Sequence, residues 1–193
     1  MKRYLRLAVL LALVSCGGGE NRAPRELDNA CAILEERPHY LGAMQRAESR
    51  WGVPMHVMMA TIYQESKFIG NAKTPRRFAL GFIPMGRKSS AKGYSQALDG
   101  TWDDYRDDTG NRGARRNDFE DAVDFMGWYM NRASSQLGIS AYDGEKLYLA
   151  YHEGLAGYGR GSHNGKSWLL RVASEVGDRS KTYQNQLIAC GKV

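Results

Sequence analysis

The stretch 55–66 constrains this chain more than any other, because it is an apolar helix that ends in an acid. Met55, Met58, Met59 and Ile62 recur at i, i+3, i+4 and i+7, the spacing of a helix face turned to a core. Pro54 stands just before it, where a missing N–H costs nothing. Glu65 falls seven residues after Met58 and three after Ile62, so its carboxylate lies on the apolar face, near the helix end and ahead of Gly70. Partial desolvation and the negative end of the helix dipole both disfavour the charged form. A carboxylic acid kept protonated in this way can donate a proton near neutral pH. The plainer alternative is a Glu whose stem covers the core while its head reaches water.

The chain opens with Lys2, Arg3 and Arg6, then an apolar run over 7–14, then Ser15 and Cys16. A basic start, a short apolar stretch and a small residue describe a secretory leader, too short to span a bilayer as a mature helix. The run Leu13, Val14, Ser15, Cys16 resembles the lipobox of bacterial lipoproteins, which implies a leader over 1–15 and a lipid on Cys16. Ordinary secretion with cleavage nearby is the alternative. No Asp follows Cys16, which by the same resemblance implies the periplasmic face of the outer membrane in a Gram-negative cell. Residues 16–26 then form a flexible tether, with the glycines 17–19 near its start.

With Cys16 lipidated, Cys31 and Cys190 remain, and in an oxidising compartment they are expected to pair. Two buried free thiols are the alternative. Removing Lys2, Arg3 and Arg6 with the leader leaves 24 basic and 21 acidic residues, a mild +3 that suits an anionic polymer or membrane surface. The basic residues form no stripe, which argues against nucleic acid.

Residues 27–193 make one domain, mostly helical. Helices are expected over 27–36, 39–50, 55–66, 94–106, 118–137, 143–155 and 166–189, with Gly177 a possible break in the last. Tyr40, Ala43, Met44 and Ala47 form one core face, and Ala122, Phe125, Met126, Tyr129 and Met130 another. In the last helix Trp168, Leu169, Val172, Ala173, Val176, Tyr183, Leu187 and Ile188 are assigned to the core. Residues 70–92 read as a long loop or short hairpin, with Arg76, Arg77, Arg87, Lys88 and Lys92 either lining a groove or simply solvated.

His152 and Glu153 do not start a zinc-protease motif, because Ala156 stands where the second His is needed. The glycines 157, 159 and 161 follow a helix, which is the wrong context for a dinucleotide site. No metal or cofactor is implied.

Three separated pieces belong together: Glu65 with Ser66; Gly93, Tyr94, Ser95 and Gln96; and Ala150, Tyr151, His152, Glu153 and Gly154. In this order they resemble the lytic transglycosylases of the soluble-lytic-transglycosylase (SLT) type, which share the goose-type lysozyme fold. The family pattern is Glu-Ser, then Gly-x-x-Gln, then Ala-Tyr-Asn-x-Gly. The resemblance implies a mainly α, α+β lysozyme-like fold with an insertion around residues 70–92. It implies that Glu65 is the single acid and base, and that Tyr151 directs its hydroxyl at Glu65. It further implies that Ser66, Gly93, Tyr94, Gln96, His152 and Glu153 contribute to a peptidoglycan site. The activity implied is non-hydrolytic cleavage between N-acetylmuramic acid and N-acetylglucosamine, giving 1,6-anhydro ends, by a protein taken as a monomer. His152 departs from the family's Asn, and Glu153 adds a carboxylate. The alternatives are a hydrolytic muramidase or chitinase, with Glu153 or an acid in 103–108 activating water, and a non-catalytic wall-binding lipoprotein.

Overall fold

The computed structural model describes residues 21–79 and 83–193, so the leader and Cys16 lie outside the described residues. Helix α3, Met55–Ser66, runs through the middle of the fold. The spacing predicts one apolar face, yet every residue from Met55 to Ile62 is buried. Neighbours on several sides explain the difference: α3 packs against α2 (Pro38–Trp51), α5 (Phe119–Leu137), α6 (Gly144–Glu153) and α8 (Ser167–Ala189). His56, the polar residue at its start, is buried as well and bonds Ser180 through Nδ1 at 2.9 Å.

Local chemistry sets the ends of α3. Gly52, at φ 69°, closes α2, and the Glu48 carboxylate accepts from the Met55 N–H at 3.3 Å. Lys67 and Phe68 then turn the chain left-handed, at φ 53° and 60°, and the Lys67 N–H donates to Tyr63 O at 3.1 Å. Two consecutive non-glycine residues in this region cost about 1–2 kcal/mol each. Full burial of the Phe68 ring offsets that cost. The helix is therefore stopped immediately after Glu65 and Ser66.

The expected faces of α2 and α5 are the buried ones, with Tyr129 only partly covered. Asp118 caps α5 by accepting from the N–H groups of Glu120 and Asp121. Helix α8 is continuous through Gly177. That glycine marks a close crossing, since a Cβ there would lie 3.1 Å from Glu145 Cβ at the start of α6. Trp168 and Ile188, assigned to the core by spacing, are 49% and 58% exposed. They flank the buried stripe that runs from Leu169 to Leu187 through Ala173, Val176 and Tyr183, and so turn to solvent.

A helix over 94–106 is corrected to α4, Asp99–Thr109. Lys92 bridges Ala97 in antiparallel fashion and Gln96 sits at φ 49°, so residues 92–97 form a turn that cannot belong to a helix. The stretch 70–92 contains an antiparallel hairpin, β1 (Arg76–Ala79) with β2 (Ile83–Arg87). After α6, Gly154 breaks the chain at φ 76°, ψ 156°, and the short α7 (Leu155–Gly159) follows. In the second half of the expected tether, Pro24 is buried and the Arg25 N–H donates to Glu36 at 3.0 Å.

Cys31, in α1 (Ala30–Glu36), is disulfide-bonded to Cys190 at the end of α8, at a sequence separation of 159. Closing so long a loop restricts the unfolded chain by about 5 kcal/mol in the chain-entropy treatment. The Cys31→Ser, Cys190→Ser double variant is expected to fold but to lose several kcal/mol of that, measured by urea unfolding. Reductant should weaken the parent protein alone.

Candidate active site

Glu65 lies in the last turn of α3, partly buried, and its carboxyl faces α6. Burial pushes that carboxyl up to about 7, against the lowering effect of a hydrogen bond with Tyr148 and of the nearby Lys67 ammonium. The group is thus about half protonated at neutral pH, and can both give and take a proton there. Burial and the Glu65 carboxyl raise Tyr148 in turn, so its phenol remains a neutral donor.

The tyrosine expected at Glu65 was Tyr151, and here the structure differs. The Tyr151 hydroxyl donates to Ser95 O at 2.5 Å. Tyr148, one turn earlier on α6, is the phenol that lowers the Glu65 carboxyl. The carboxyl still lies close enough to help raise Tyr151, after burial. Tyr151 therefore ties the second motif to the third, while Tyr148 meets the acid. A sequence signal for Tyr148 existed, since residues three apart share a helical face.

The second motif is largely architecture. Gly93 sits at φ 80°, and a Cβ there would fall 1.9 Å from the Arg116 carbonyl oxygen, so no other residue fits. The close backbone approach that it permits is to Arg116. Tyr94, expected to bind substrate, is corrected to a core residue. It has no exposed surface, and its hydroxyl meets that of Tyr40 at 3.2 Å. Gln96 donates its amide N–H groups to Gly93 O at 2.8 Å and Ala72 O at 3.2 Å. Ser66 is likewise turned inward, donating to Ile62 O at 3.3 Å, and is buried.

A cleft of about 200 Å³ brings the rest together. Gln96, Leu98, Tyr129, Tyr151, His152 and Glu153 are among its walls. Its aromatic floor and polar rim suit a sugar ring, which has apolar faces and hydroxyl edges. A larger hollow, of about 560 Å³, lies beside Tyr63, Gln64 and Lys67 and is lined by none of the motif residues.

Glu153 is held in an ion pair. Its carboxylate accepts from Lys166 Nζ at 2.7 and 2.8 Å and from the Ser162 hydroxyl, with His152 Nδ1 at 3.1 Å. Lys166 and Ser162 hold it down at about 2 against desolvation, so it stays ionised. Among the acids of 103–108, Asp103 pairs with Arg106 and Asp108 with Arg132.

A family model described as Transglycosylase SLT domain matches residues 4–190. No curated protein matches the sequence.

The raised carboxyl sets a sign for stability. Folding favours the protonated form, so stability is fully present below the unfolded value of 4.5 and falls as pH rises through about 7. Glu65→Gln is expected to be about 3 kcal/mol more stable than the parent at pH 8 and little different at pH 4, by urea unfolding. Tyr148→Phe removes a bond that lowers the Glu65 value. Its NMR carboxyl titration should therefore move above about 7.

Proposed function

The chain belongs to the transglycosylase SLT domain family, and we propose that it cleaves peptidoglycan glycan strands without water, using Glu65 as its one acid and base. The observation that carries this reading is a single carboxyl held near 7 at the end of a buried helix, with a phenol beside it. Glycosidases that work with two carboxylates use the second as nucleophile or as base. The two candidates for that second role do not suit it. Glu153 is ionised but spent on Lys166, and of the acids of 103–108 Asp103 and Asp108 belong to surface ion pairs and none lines the cleft. This counts against the hydrolytic alternative.

The reaction then runs as follows. Protonated Glu65 gives its proton to the oxygen joining N-acetylmuramic acid to N-acetylglucosamine, and the bond from the anomeric carbon to that oxygen breaks. The substrate's own acetamido oxygen stabilises the electron-poor anomeric carbon, as in substrate-assisted enzymes. Glu65, now a carboxylate, takes the proton from the muramic C6 hydroxyl as that oxygen closes on the anomeric carbon. The products are a free 4-hydroxyl and a 1,6-anhydro end, and Glu65 is protonated again. Tyr148 keeps the carboxyl oriented through both transfers, while Gln96, Tyr151 and His152 line the sugar site. The sequence of the leader supports anchoring through a lipid on Cys16 at the periplasmic face of the outer membrane.

Mass spectrometry of digested sacculi tests the reading. Anhydromuramic ends are expected, and reducing ends would overturn it. Glu65→Gln should lower turnover by about 10²–10⁴-fold, the usual worth of a positioned acid.

A further inference from the structure

We infer that Trp168 is a stacking platform for the glycan strand, continuing the cleft wall past His152, and that the Glu153–Lys166 ion pair sets its position. This rests on the glycan-cutting function proposed above.

Of the four tryptophans, Trp102 and Trp128 are buried in an aromatic cluster, and Trp51 is partly buried with its indole N–H on Asp124 at 2.8 Å. Trp168 alone among them is half in solvent, at 49% exposure. A wide apolar ring left in water is poor design for a free surface and good design for a ligand's apolar face. Pyranose rings present such a face through their axial C–H groups.

Its place makes the ligand specific. The Tyr148 ring lies 6.4 Å from the His152 ring, and His152 lies 5.3 Å from the Trp168 ring, edge to face. His152 also lines the cleft with Gln96 and Tyr151. The indole therefore stands next to the cleft wall at His152, and a strand seated in the cleft reaches Trp168 with a neighbouring sugar.

The same two stretches are fastened together. Lys166 is the N-cap residue of α8, two residues before Trp168. Its ammonium is held by both oxygens of Glu153, whose side chain is only 4% exposed. The third motif thus fixes the start of α8, and with it the indole. Glu153 acts through Lys166, as a positioning residue.

The test uses the full chain and peptide-free glycan strands. In the Glu65→Gln background, strands should shield the protein's fluorescence from iodide, and Trp168→Ala should remove both the quenching and the shielding. In the active protein Trp168→Ala is expected to raise KM about five- to tenfold with little change in kcat, and Trp168→Phe to restore most of the loss. Glu153→Gln should raise KM by a smaller factor and leave the indole more open to iodide. A KM within twofold of the parent, or quenching that strands leave unchanged, would overturn the platform. So would self-association lost in Trp168→Ala with strand affinity intact. These readouts do not depend on product chemistry, so reducing ends in the digest would refute the proposed reaction and leave the platform to be judged on its own data.

Discussion

The candidate site depends on keeping one carboxyl out of water at the end of a helix that is itself buried. Removing water from an acid costs free energy, and the protein meets that cost by leaving the group protonated near neutral pH. The rest of the core is arranged to make this possible. Helix α3 is enclosed by four others, it stops one residue past Glu65, and α6 supplies the hydroxyl that gives the carboxyl a partner. Were α3 at the surface, Glu65 would be an ordinary anion.

The three motif regions divide their labour along physical lines. The first carries the proton. The second is a clasp, in which Gly93 admits the Arg116 carbonyl and Gln96 holds two backbone oxygens. The third does two things from one helix. Tyr148 serves the acid while Tyr151 secures the clasp through Ser95. His152 then forms cleft wall, while the covered carboxylate of Glu153 is the partner of Lys166. Substituting a motif residue can therefore harm the protein through three different routes, of which only one is chemical.

Much of this was legible in the sequence where periodicity decides. The buried faces of α2 and α5 follow from apolar spacing, and Glu65 follows from its register with Met58 and Ile62. The disulfide followed from compartment and count. Rotation of one helix against another was not legible. Tyr148 and Tyr151 share a face of α6, and which phenol meets α3 depends on how α6 is turned, a property of packing. Residues 92–97 misled for a related reason, since Gln96 in a left-handed conformation leaves no trace in composition. Trp168 stands next to Leu169 in sequence, but only Leu169 lies on the buried stripe of α8, a rotation that apolar spacing leaves open.

The Cys31–Cys190 bridge has a mechanical consequence. Tension applied between the two ends of the polypeptide would pass from sulfur to sulfur. The span between them, α3 included, would hang beside that path as a slack ring and carry no load.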